Sequence, residues 1–172
     1  ENVSKSIMNE HGSAKIITMT NVFAHMSTLG HVMQGINDLL DDKGIFISES
    51  QYLLDLLESN QFDGIYHEHI RTYSLKSIVT LCKLYNLEVF KVIRASRYGG
   101  NIRVYICKKG AHKIQSSVNT LLLLENSKKL FEPETWQKFR ERVMHNKNIF
   151  VEFMYYCKKY GLNVVADSCP GR

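Results

Sequence analysis

The stretch that decides the fold runs from Lys15-Ile16-Ile17-Thr18-Met19-Thr20 to Ile45-Phe46-Ile47-Ser48. KIITMT is a β-branched apolar run long enough for a buried strand, and Asn21 to His25 follows it as a strand-end loop, where α/β folds place ligands. Ser27 and Thr28 can cap a helix whose apolar positions Leu29, Val32, Met33, Ile36, Leu39 and Leu40 recur at spacings of three and four. Asp41-Asp42-Lys43-Gly44 ends that helix, and Ile45 to Ser48 is a second short strand. Strand, helix and strand in this order predict two parallel neighbours joined by a right-handed crossover.

Beyond this unit, Tyr52 to Leu57 reads as a short helix and Gln61 to His69 as a loop. Ser74 to Tyr85 reads as a helix with Ile78, Val79, Leu81 and either Leu84 or Tyr85 turned inward. Two strands follow, Leu87 to Arg94 and Ile102 to Cys107, joined through Gly99-Gly100. That connection is too short for a crossover helix, so the pair is expected to be antiparallel. After Gly110 the pattern becomes helical, from about Gln115 to Asn126 and again, past Pro133, from Glu134 to Tyr160, where Gly161 stops it. Leu162 to Ala166 (LNVVA) reads as a further strand and Asp167 to Arg172 as a turn. Because a strand and a Gly-containing turn ordinarily open a βα unit, and no Gly-rich turn precedes KIITMT, the chain is expected to be cut from a longer one.

Composition narrows the function classes. At 172 residues and 44% hydrophobic content the chain can bury a good core and is too apolar for intrinsic disorder. Cys82, Cys107, Cys157 and Cys169 form no CxxC pair, which argues against a zinc ribbon or a disulfide framework and for a reducing compartment. No apolar run reaches the roughly 18 residues of a membrane span, and Glu1 to Ser13 lacks a signal-peptide core, so the cytoplasm is expected. The formal charge of +5 suits an anionic partner such as a nucleotide diphosphate. The basic residues are spread out with no aromatic-interleaved stripe, so neither nucleic acid nor membrane is an expected partner. Lys108, Lys109, His112 and Lys113 read as a solvated charge run.

The candidate site is Tyr66-His67-Glu68-His69, an acid, two imidazoles and a phenol in four residues. Proton transfer near neutral pH needs a group titrating there, and a neighbouring carboxylate or phenol can orient and tune an imidazole. A helical turn would put Tyr66 and His69 on one face, whereas an extended strand would pair Tyr66 with Glu68 and His67 with His69. HxH together with His25 could hold a metal, but the surroundings are mixed rather than all-β, and no metal site is assigned.

Several motifs in fixed order carry a resemblance: Asn21-Val22-Phe23-Ala24-His25; Asp42 to Ile47 with Glu49 and Tyr52; Phe62 to His69; Tyr73-Ser74-Leu75; and Gly99 to Tyr105. The chain resembles the S-adenosylmethionine-dependent C-methyltransferases of deoxysugar biosynthesis over nearly its whole length. The resemblance implies an α/β fold, a partial Rossmann-like class I methyltransferase sheet followed by a helical segment and the first strand of a second Rossmann-like domain. It divides the chain into 1–110, the C-terminal half of a methyltransferase domain without the cofactor's Gly-rich loop; 111–160, a helical connection; and 161–172, the start of a C-terminal domain. The cofactor implied is S-adenosyl-L-methionine, with zinc only in a domain outside these residues, and the partner implied is a nucleotide-sugar substrate. Lacking the Gly-rich loop, these residues alone are expected to be inactive. The chemistry implied is removal of a proton alpha to a ketone, stabilisation of the enolate and capture of a methyl group. By resemblance His69 is the base, Glu68 orients or tunes it, and Tyr66 and His25 hydrogen-bond the sugar or enolate. Asn21 and Val22 are expected at the cofactor, and Glu49 and Tyr52 at the substrate. Where the family usually carries His before the Gly-Gly pair, this chain has Tyr98.

Overall fold

In the computed structural model, residues 3–167 are described. Ten principal elements follow one another: α1 (Val3–His11), β1 (Ala14–Thr20), α2 (Leu29–Leu39), β2 (Leu40–Gln51), α3 (Leu53–Glu58), α4 (Leu75–Leu84), β3 (Leu87–Ala95), β4 (Asn101–Lys108), α5 (Ser116–Ser127) and α6 (Pro133–Lys159). The four strands form one mixed sheet in the order β1-β2-β4-β3. β1 and β2 are parallel, with Ile17 opposite Phe46 and Thr20 opposite Glu49, while β4 runs antiparallel to both β2 and β3. The expected strand-helix-strand unit and the expected antiparallel pair are both present.

Register explains the core. Phe46, Ser48 and Ser50 lie opposite Ile106, Val104 and Ile102, so these residues share one face of the sheet by the two-residue period of a strand. Phe46, Ile106, Val104 and Ile102 pack in one cluster with Met33 and Ile36 of α2, Leu75 and Ile78 of α4, and Val118 and Leu121 of α5. The opposite face carries Ile47, Glu49 and Gln51 against Tyr105, Arg103 and Asn101.

Several local expectations need correction. KIITMT is an edge strand, not a buried one: Ile17 and Met19 are half-buried while Ile16 is 66% exposed. The helix before Asp41 ends at Leu39, and β2 begins at Leu40, well before Ile45. Between Ala14↔Leu40 and Ile16↔Ile45 the ladder shifts register, and Gly44 is needed there because a Cβ would lie 2.8 Å from the Ala14 carbonyl oxygen. On α4 the expected Ile78, Val79 and Leu81 do face the core, joined by the buried Leu75 and Cys82, and of the two alternatives it is Tyr85 that packs there, since Leu84 is 74% exposed. α1 has no counterpart in the reading of the sequence; it packs on α2, with Ser4 buried against Gly35.

The long helix is confirmed as α6, and Pro133 stands in its first turn, where a missing N–H costs nothing. From Met144 onward α6 is exposed on every side except at Cys157. Leu162 to Ala166 is not a strand: residues 162–167 are irregular and Val165 is 87% exposed. No neighbouring strand lies there among the described residues to pair its backbone, and an unpaired strand is not stable by itself. Beyond Asp167 the expected turn lies outside the described residues.

Candidate active site

A cleft of about 580 Å³ opens at the carboxyl ends of β1 and β2, beside the turn that joins β3 to β4. Parallel strands place ligands at this end. Asn21, His25, Tyr66, His69 and Tyr98 are among its walls, so residues far apart in sequence meet there.

The loop carrying Tyr66 to His69 is a turn, with His69 N–H donating to the Tyr66 carbonyl at 3.0 Å. This brings the two rings to a centroid distance of 4.2 Å and the Tyr66 hydroxyl to 2.9 Å from His69 Nε2. The helical-turn alternative is therefore the one realised. His69 Nδ1 lies 3.1 Å from the Gly64 carbonyl oxygen. A carbonyl only accepts, so Nδ1 carries the proton, Nε2 keeps the lone pair, and Tyr66 donates to it.

His25 reaches the same place from the single turn Phe23–His25 after β1. Its Nδ1 donates to the Glu68 carbonyl oxygen at 3.0 Å, which by the same reasoning leaves Nε2 as the basic nitrogen. The two imidazoles meet edge to face at 4.9 Å. The segments are strapped together: Arg71 N–H donates to the Ala24 carbonyl at 3.4 Å, the Arg71 guanidinium to the Met26 carbonyl, and the Tyr73 hydroxyl to the Phe23 carbonyl at 3.2 Å.

Glu68, expected to orient or tune His69, does not place its carboxylate against that ring. Its side chain is exposed and makes no hydrogen bond to the ring; its main-chain carbonyl orients His25 instead. His67 is likewise exposed. Asn21, at φ 55° in the left-handed region that asparagine tolerates, donates its N–H to the Glu49 carbonyl at 2.8 Å and lines the cleft. Val22 is exposed beside the cleft but does not line it.

Glu49 and Tyr52 are not on the cleft wall. The Glu49 carboxylate is buried and accepts from Arg103 Nε at 2.6 Å and Asn101 Nδ2 at 3.2 Å. Burial pushes its carboxyl pKa up, but the Arg103 and Asn101 donors outweigh that and hold it below the ordinary 4.5. Asn101 does line the cleft, so Glu49 stands one residue behind it. Tyr52 is fully buried, its hydroxyl 2.9 Å from Glu125, and a substrate contact there is withdrawn. The expectation failed because Tyr52 follows β2 directly and its ring turns into the core beneath α5.

Sequence reasoning missed Gln51 and Gln61. Gln51 Nε2 donates to Gln61 Oε1 at 3.3 Å, and Gln61 Nε2 donates to the Gly99 carbonyl at 2.8 Å, tying the strand end, the loop and the β3–β4 turn together. Gly64, whose carbonyl holds His69, packs so tightly on Gln51 that a Cβ there would lie 2.8 Å from Nε2. No motif signals these contacts, which exist only once the elements are assembled. Among the described residues, no group of three or more His, Cys, Asp or Glu is placed to hold a metal ion.

Residues 1–92 match the family described as methyltransferase domain, and residues 96–172 match the C-methyltransferase C-terminal domain. C-methyltransferase NovU of Streptomyces niveus is 36% identical over 138 residues, 80% of this chain and 33% of that protein, so the chain spans about a third of this relative's length. Among solved structures, a methyltransferase in complex with the Haloferax volcanii Trm112 activator is similar at a TM-score of 0.46 with 11% identity, covering 56% of this chain and 55% of that one. The magnesium protoporphyrin IX methyltransferase of Synechocystis PCC 6803, with bound SAH, is similar at a TM-score of 0.44 with 10% identity, covering 56% of this chain and 46% of that one. With residues 1–92, more than half of its length, matching the methyltransferase-domain family, the chain belongs to that family, and residues 96–172 are similar to the C-terminal domain of C-methyltransferases.

Proposed function

We propose that this chain provides the proton-abstracting side of a C-methyltransferase acting on a nucleotide-linked keto-deoxysugar. The observation that carries the reading is the pair of imidazoles, each with Nδ1 spent on a backbone carbonyl and each left with a basic Nε2 at one cleft. His69 Nε2 takes the proton alpha to the ketone, and the electrons of the broken C–H bond pass into an enolate. For this the Tyr66 hydroxyl turns off Nε2, leaving that lone pair to the substrate proton, and donates to the enolate oxygen, while His25, whose Nε2 carries no proton, accepts from a sugar hydroxyl.

S-adenosylmethionine, when bound, supplies the electrophilic methyl group that the carbanion attacks. The residues present fit part of such a cofactor, because Asn21 offers an amide side chain at the carboxyl end of a parallel strand, with Val22 exposed beside it. A cleft of about 580 Å³ suits a sugar-sized acceptor, and the net charge of +5 favours an anionic one. The reading divides the chain after residues 110 and 160 as above. It places the protein in the cytoplasm, where Cys82, Cys107 and Cys157, free and buried, would stay reduced.

The test is exchange of the alpha proton of a nucleotide-linked keto sugar with deuterated water, measured on the natural full-length protein. Wild type should exchange, and His69→Asn should lose most of that exchange while binding S-adenosylmethionine as before. Exchange at the wild-type rate in His69→Asn would move the base to His25 or Tyr66. A wild type that binds the sugar nucleotide without exchange would make the chain a binding module.

A further inference from the structure

The turn between β3 and β4 contains three consecutive residues with left-handed backbone: Tyr98 at φ 52°, Gly99 at φ 79° and Gly100 at φ 128°. Glycine adopts such conformations without strain, and Gly100 is obligatory because Asp55 occupies the space a Cβ would need. Tyr98 is the anomaly. A bulky side chain in the left-handed region costs stability, and a ring that is 77% exposed recovers little of it through burial. Strain of this kind persists where the surroundings impose it, and here they do. Gly99 accepts from Gln61 Nε2 at 2.8 Å, Gly100 donates to the Arg97 carbonyl at 2.9 Å, and the Gly100 carbonyl accepts from Tyr52 N–H at 3.1 Å.

The pinned turn holds the Tyr98 ring on the cleft wall, in the same cleft as His69. Its high exposure puts it at the mouth, whereas Asn101 and Gly64, both buried, lie deeper. Arg97, its neighbour in the chain, is exposed on the same Arg97–Gly99 turn, so a guanidinium stands beside Tyr98. An acceptor that enters sugar first leaves its diphosphate and base at this mouth. We infer that Tyr98 is a specificity residue on which the nucleobase of the acceptor stacks, with Arg97 facing the diphosphate. An exposed aromatic face selects planar rings and tolerates their identity, and a guanidinium beside it suits phosphate oxygens. This inference rests on the nucleotide-sugar reading above.

Binding of UDP, dTDP and GDP to the natural full-length protein tests it, together with KM and kcat for the nucleotide-linked acceptor. Tyr98→Asn removes the ring and suits the backbone. It is expected to weaken nucleoside diphosphate binding and raise the acceptor KM about tenfold, with kcat, S-adenosylmethionine affinity and melting temperature not lowered. Tyr98→Phe keeps the ring and should stay within about twofold of wild type. Wild-type nucleotide affinity in Tyr98→Asn, a loss confined to S-adenosylmethionine, or a lower melting temperature would each overturn the inference. If wild type binds no nucleoside diphosphate, the inference and the nucleotide-sugar reading fail together. If wild type binds them and the Tyr98 variants match it, the inference alone fails.

Discussion

Tyr66 and Tyr52 each place a phenolic hydroxyl 2.9 Å from a titratable partner, and they do opposite work. Tyr66 donates to His69 at the wall of an open cleft, on a loop held by backbone carbonyls. Tyr52 donates to Glu125 in the sealed core, where the same carboxylate also accepts from the Leu75 N–H at 2.6 Å and the Lys76 N–H at 3.1 Å at the start of α4. The first pair lies where a ligand can reach it. The second joins α5, α4 and the end of β2, and satisfies helix-terminal donors that would otherwise be buried without partners. A hydrogen-bonded tyrosine and its partner thus become chemistry or architecture according to whether a ligand can reach them.

The comparison breaks first at His69. Replacing it with Asn should slow turnover about a hundred- to ten-thousandfold, the usual contribution of a general base, while thermal stability changes little because the ring lies at the cleft. Glu125→Ala should show the reverse pattern. It strands the Tyr52 hydroxyl and two backbone N–H groups, and a loss of about 3–4 kcal/mol is expected in urea unfolding. Tyr52→Phe, which removes one donor, should cost about 1–2 kcal/mol. A stable Glu125→Ala protein would refute the architectural role.

Alkali should sharpen the contrast, because the buried side titrates there. Burial pushes the Cys82 thiol up to about 12 from its ordinary 9.0. Burial, reinforced by Glu125, raises the Tyr52 phenol above its ordinary 10.0, and burial raises that of Tyr73. Above about pH 9 the unfolded chain therefore releases protons that the folded one keeps, and stability falls as pH rises. It is fully present below that range. Urea midpoints measured from pH 8 to 11 should drop, and Tyr52→Phe should drop less steeply above pH 10. The smallest effect is expected at Glu68→Gln, less than about threefold in turnover, because Glu68 contributes a main-chain carbonyl that the substitution leaves in place. A loss as large as that of His69→Asn would put its carboxylate back at the reaction.

Legibility in the sequence followed how local each feature was. β3 and β4 were readable because β-branched runs flank a short Gly-Gly link, and α4 because Ile78, Val79 and Leu81 recur at helical spacing. α1 was not, since VSKSIMNEH carries a weak apolar pattern and rests on α2. LNVVA misled in the other direction: its composition suits a strand, but strands exist only in pairs.

The sequence by itself determined the periodicities, the breaks and the clustering of Tyr66 and His69, because these depend on neighbours within a few residues. Only the tertiary structure decided which nitrogen of each imidazole is basic, since the carbonyls of Gly64 and Glu68 that set it belong to the assembled loop. It alone moved Tyr52 into the core and brought Asn101, Gln51 and Tyr98 to the cleft. Burial and hydrogen-bond partnership are properties of the packed chain, and a residue's type does not state on which side of the sheet or under which helix it will lie.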